Sequence, residues 1–168
     1  DKDTFFDALP ESFLQIPTAL KPVSDEILHT KFDLVLFHYQ VWYLSPSIPI
    51  NSFLKSDDAK RILNNTPVVT ISGSRNMWIM AQEKIKTLLK EANAQLVGNV
   101  ALADRVGNLI SVITIVEWMF SGVKKKHWGF LPLPGVSDKD IQESDKFGDV
   151  IVSALNQNNF EDLQPKLL

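Results

Sequence analysis

Two short runs in this chain hold the residue types that could grip a flat heterocyclic ring. The first is Tyr39-Gln40-Val41-Trp42-Tyr43-Leu44-Ser45-Pro46-Ser47, where Trp42 and Tyr43 offer aromatic faces for stacking, with Gln40 and Leu44 beside them. The second is Ser72-Gly73-Ser74-Arg75-Asn76, whose backbone N–H groups could donate to a ring carbonyl, with Arg75 available to an anion. Each run also has a plainer reading: aromatics packed between loop and helices, a Ser-Gly-Ser turn that caps the following helix, an arginine paired with a surface carboxylate. Other chemistries find little support. The chain has no cysteine, which excludes disulfides, thiol catalysis and cysteine-ligated zinc. His29, His38 and His127 lie too far apart for a metal signature, and no Gly-x-Ser-x-Gly elbow occurs. Asp57-Asp58 and Asp138 with Asp140 read as acidic helix starts rather than catalytic pairs.

The elements that would position the two runs alternate between strand and helix. The nearly continuous apolar segment from Phe32 to Phe37 predicts a strand that empties into the aromatic loop. Ile50 to Leu54 and Asp58 to Leu63 predict two short helices. Val68-Val69-Thr70-Ile71 after Thr66-Pro67 predicts a strand buried on both faces, with Ser72 to Asn76 as the turn at its end. Met77, Met80, Ala81, Ile85, Leu88, Leu89 and Ala92 then form one stripe of an amphipathic helix, with Gln82, Glu83, Lys86, Lys90 and Glu91 opposite. Asn93 sits where a C-terminal cap belongs, and Gln95 to Leu102 predicts a third strand in which Gly98 marks a bulge. Strands joined by helical crossovers make a parallel sheet, so the class is α/β. Ligands of such sheets bind at the carboxyl ends of the strands, which is where both runs fall.

The flanks are less regular. Pro10, Pro17 and Pro22 leave room only for short helical turns around Glu11 to Gln15, and Ser24 could cap a short helix toward His29. The apolar run 108–120, as a helix, would cover about 18 Å, short of the roughly 30 Å of a bilayer core. It reads as a core helix, a homodimer contact or a dock for a partner enzyme; with Trp118, Lys124 to Lys126 and Trp128 the stretch 109–128 could also rest on a membrane surface. Ser137-Asp138-Lys139-Asp140 starts a last helix, in which Ile141, Phe147, Val150, Ile151, Ala154 and Leu155 could dock on the sheet. Gly148 in its interior costs up to about 1 kcal/mol relative to alanine. With 45% hydrophobic and 22% charged residues, the 168-residue chain is expected to form one domain around one core. Its net charge of -3 gives no footprint for nucleic acid. No signal peptide is visible and the chain does not start with methionine, so a cytoplasmic, processed or truncated product is expected.

The order strand, aromatic loop, helix, strand, Ser-Gly-Ser loop, helix, strand resembles the flavodoxin-like fold from its third strand onward. Tyr39 to Ser47 followed by Phe53-Leu54-Lys55 resembles the flavin-contacting loop of flavodoxin-like NAD(P)H-dependent reductases, and Ser72 to Trp78 resembles their second ring-contacting loop. Over more of the chain, Asp7 to Pro17, Arg75-Asn76-Met77-Trp78, Asp104 to Ser111 and Pro134-Gly135-Val136-Ser137 are similar to the bacterial family of dialkylresorcinol condensing enzymes, which accompany aryl-lipid and polyene pigment biosynthesis. The resemblance implies a three-layer α/β/α domain with FMN as cofactor, contacted by Gln40, Trp42, Tyr43, Leu44, Ser72, Gly73, Ser74, Arg75 and Asn76. It also implies a chain that is N-terminally incomplete, without the first strand and hydroxyl-rich phosphate loop of the family. Condensing two acyl chains normally uses a cysteine nucleophile, so the expected role is redox or associative rather than the condensation itself.

Overall fold

The computed structural model describes residues 7–74, 78–103, 122 and 136–168. Its strands are β1 (Val35–Trp42), β2 (Ser45–Pro46), β3 (Pro67–Ser74) and β4 (Gln95–Ala103). Its helices are α1 (Leu9–Leu14), α2 (Asp25–His29), α3 (Ile48–Leu54), α4 (Asp57–Leu63), α5 (Ile79–Glu91), α6 (Asp138–Gln142), α7 (Asp145–Asn156) and α8 (Leu163–Lys166). The helix expected over 108–120, the stretch 109–128 expected to be able to rest on a membrane surface, and the expected site residues Arg75 and Asn76 lie outside the described residues.

The β-branched run of β3 takes the interior of an open sheet of order β2-β1-β3-β4. β1 and β4 flank β3 in parallel, and α3 with α4 between β1 and β3, and α5 between β3 and β4, supply the crossovers that parallel neighbours need, all three packing on one face of the sheet. The sheet is not wholly parallel, as the sequence had suggested. β1 continues five residues past Phe37 and turns back through Tyr43 and Leu44 into β2, with Val41 opposite Pro46 and Trp42 opposite Ser45. β3 likewise runs on to Ser74, so that Ser72 to Ser74 are strand rather than turn.

Alternation along β3 divides the apolar residues between two clusters. Val68 packs with Phe37, Tyr39, Leu54, Leu63, Ile85 and Leu89, whereas Val69 packs with Val100, Ile151, Leu163 and Leu167. α5 buries Ala81, Ile85, Leu88 and Leu89 as its periodicity requires, but two residues break the pattern: Met80 is exposed and Gln82 is buried. In the last helical region Ile151 docks as expected and Phe147, Val150 and Ala154 pack around it, while Ile141 is exposed. Gly98 does sit at a bulge, since Val68 pairs with Leu96 and Val69 with Gly98. A Cβ there would come 2.7 Å from Leu167 Cδ1 of the segment that follows α8, so any larger residue requires that leucine side chain to move. At the opposite end of the sheet from the candidate site, Asn93 ends α5 at a φ of 56°. Its amide donates to Asn64 Oδ1 at 2.7 Å and Asn65 Oδ1 at 3.1 Å, clasping the two crossovers together.

Candidate functional site

The aromatic run is a two-residue hairpin with an uncommon composition. Tyr43 and Leu44 adopt φ values of 49° and 63°, the left-handed pair of a type I′ turn, which asparagine and glycine normally occupy. Such a conformation costs roughly 1–2 kcal/mol per non-glycine residue and persists only where surrounding contacts hold it. Those contacts are present. Ser12 Oγ donates to Trp42 O at 3.2 Å, Gln15 Nε2 to Pro46 O at 3.3 Å, and Lys84 Nζ of α5 to Ser45 Oγ at 2.6 Å. α1 thus seats on the hairpin through Ser12 and Gln15, and turns Leu9, Phe13 and Leu14 outward. Trp42, Tyr43 and Leu44 are each half-buried, and partial desolvation raises the Tyr43 phenol above its ordinary value.

The parallel register of β1 and β3 brings the two sequence runs side by side. Tyr39 lies opposite Ser72, and Gln40 opposite Gly73. The pleat then sorts them by face. Gln40 and Gly73 share the face that carries the second cluster and are exposed there, and the position a Cβ would take on Gly73 has no atom within 4 Å, so a ligand could approach the backbone closely. Ser72 and Ser74 share the other face with Tyr39, toward α5. Their hydroxyls are buried and have no hydrogen-bond partner, a state that costs about 1–3 kcal/mol per group unless a ligand or water completes it. The structure therefore unites Gln40 with Gly73 and separates them from the two serine hydroxyls by the thickness of the strand.

Beneath those hydroxyls runs a chain of neutral polar groups that the sequence reading missed. Tyr39 OH donates to Gln82 Oε1 at 2.6 Å, Gln82 Nε2 donates to Thr70 Oγ1 at 3.1 Å, and Thr70 Oγ1 donates to Asn99 Oδ1 at 2.9 Å. The backbone of Asn99 is in turn gripped by Gln164 of α8, whose Oε1 accepts from Asn99 N at 2.6 Å and whose Nε2 donates to Asn99 O at 3.3 Å. The only trace in the sequence was a glutamine beside Ala81 at the border of the apolar stripe of α5. Burial pushes the Tyr39 phenol up to about 12, and the nearby Ser72 hydroxyl offsets this in part without reaching hydrogen-bond geometry. Because the folded phenol ionises above the unfolded value of 10.0, its neutral form contributes stability that is whole below pH 10 and is lost as pH rises toward about 12. Urea unfolding across that range should show stability falling in the parent and a flatter profile in Tyr39→Phe.

Among the described residues no group of three histidines, cysteines or carboxylates could hold a metal, and no helix is long and apolar enough to cross a membrane. Compared with protein-family models, curated proteins and solved structures, the chain matches none.

Proposed function

We propose that the chain is the ring-binding part of a flavodoxin-like, FMN-type redox protein or NAD(P)H-dependent reductase that serves aryl-lipid biosynthesis of the dialkylresorcinol kind. The observation that carries this reading is the pairing of Gln40 with Gly73, which sets both sequence runs at the carboxyl ends of neighbouring parallel strands. The strand order β1-β3-β4 agrees with the third to fifth strands of a flavodoxin-like sheet, and helices that pack on both clusters agree with its three-layer arrangement. In this reading Trp42, Tyr43 and Leu44 flank the ring. Gln40 and the Gly73 backbone meet its edge, and backbone N–H groups of the run from Ser72 through Ser74, Arg75 and Asn76 complete the donor set. The open space at Gly73, beside Gln40, suits the close approach of a planar ligand with polar edges. In this reading the described residues would hold the ring end of FMN, and its phosphate is left unassigned. A bound flavin would supply the electron or hydride chemistry; this chain binds it, orients it and shields it from water.

The protein produced in full length and desalted should retain yellow flavin absorbance, and Trp42→Ala should weaken FMN binding about tenfold, the equivalent of one lost stacking contact of about 1.4 kcal/mol. A parent protein that stays colourless after incubation with FMN overturns the reading.

A further inference from the structure

Among the described residues β4 is the last strand of the sheet, and an edge strand turns a row of N–H and C=O groups outward, where another chain can pair with them. Apart from the bulge at Gly98, β4 has none of the usual protections. The run Gln95-Leu96-Val97-Gly98-Asn99-Val100-Ala101-Leu102-Ala103 contains no charged residue and no proline, so a copy of itself laid alongside would meet no like charge. At the middle of the strand the place of a neighbour is already taken. The Gln164 carboxamide accepts from Asn99 N at 2.6 Å and donates to Asn99 O at 3.3 Å. A single residue of an antiparallel neighbour exchanges the same two bonds, so the side-chain amide stands in for a strand.

The element that delivers this amide is held by little else. α8 has four residues, one of them proline, and a helix that short is not stable by itself. Its anchors are Leu163 and Leu167, both buried in the second cluster on either side of Gln164. They reach β4 because position 98 has no side chain: a Cβ there would lie 2.7 Å from Leu167 Cδ1 and 3.5 Å from Leu163 Cδ2. Gly98, the two leucines and Gln164 together form a latch over the strand.

We propose that the outer edge of β4 is a pairing surface for a second copy of this chain, antiparallel across a two-fold axis at Asn99, and that α8 is the latch that covers it. Asn99 is the fifth of the nine residues of β4, so a copy centred on it overlaps the strand along its whole length. Each Asn99 then exchanges with its counterpart the two backbone bonds it otherwise shares with Gln164. The surface stands independently of the flavin reading, since no residue of the latch is a proposed ring contact.

Sedimentation of the full chain over a range of concentrations, with hydrogen exchange read at the Asn99 amide, tests the surface. Gln164→Ala changes a half-buried position, leaves both leucines in place, and should raise the fraction of chains with an open edge about tenfold. Because both copies must open, its dimer constant should rise about a hundredfold over the parent, and adding Leu167→Ala should raise it further. The Asn99 amide of Gln164→Ala should exchange fast when dilute and slowly once dimeric. The backbone of Ala101, two residues on from Asn99, also points outward, and Ala101→Pro removes its N–H at a position an edge strand tolerates. Placed in the Gln164→Ala background, it should return self-association to the level of the parent. The proposal is overturned if neither latch variant associates more than the parent, if Ala101→Pro leaves the added association intact, or if the Asn99 amide of Gln164→Ala exchanges as fast at high concentration as at low.

Discussion

Replacing Gln82 by leucine is expected to destabilise the protein by about 2–4 kcal/mol, although leucine is close in size and suits the helix. The side chain is 3% exposed and bridges Tyr39 OH and Thr70 Oγ1. Its removal leaves a phenol and a hydroxyl facing hydrocarbon, and an unsatisfied buried group costs about 1–3 kcal/mol. Adding Tyr39→Phe should recover part of the loss, because the phenol no longer needs an acceptor. Urea denaturation of the four members of this double-mutant cycle measures the coupling directly. If the single change costs less than about 1 kcal/mol, the amide is not the bridge its geometry describes.

The second large effect is expected at the hairpin tip. Tyr43→Asn combined with Leu44→Gly installs the pair that a type I′ turn prefers and should stabilise the fold by about 1–2 kcal/mol, net of the packing that two half-buried side chains provide. The same exchange removes an aromatic face from the proposed ring pocket, so FMN affinity should fall about tenfold or more while the melting temperature rises. Leu44→Gly alone should give part of the stability gain with a smaller loss of affinity. Calorimetry with and without flavin separates the two readouts. A stability loss in both variants would mean that Tyr43 and Leu44 rest in those conformations without strain, and an unchanged affinity would remove the hairpin from the site.

The parts of the fold that were legible in the sequence are those where one local rule decides. The β-branched run of β3, the 3.6-residue period of α5, the bulge at Gly98 and the left-handed cap at Asn93 all emerge where pattern and backbone preference agree. What escaped was decided by tertiary contacts. Ser45-Pro46 has the composition of a turn, yet it pairs as β2 because α1 and Lys84 press it against β1. Tyr-Leu is an improbable type I′ pair, so nothing local announced a hairpin. Gln82 looked solvated because no sequence rule tells a helix glutamine that a tyrosine waits on the sheet face beneath it. The same held for α8, where four residues and a proline gave too little periodicity to read. For the candidate site, the two runs were legible as neighbours, but the division of Gln40 and Gly73 from Ser72 and Ser74 by the pleat was not, since it required β3 to extend through Ser74.

The brace from Tyr39 through Gln82, Thr70 and Asn99 to Gln164 consists entirely of amides and hydroxyls. It ties α5 to α8 straight through the sheet, and none of its members gains or loses charge anywhere in the ordinary acidity range of a cell. Ionic strength has nothing in it to shield, so concentrated salt should leave the spacing of the two helices intact. Chaotropes that compete for amide bonds attack the same spot, and the strand tips that carry the proposed ligand contacts would loosen together, as one unit.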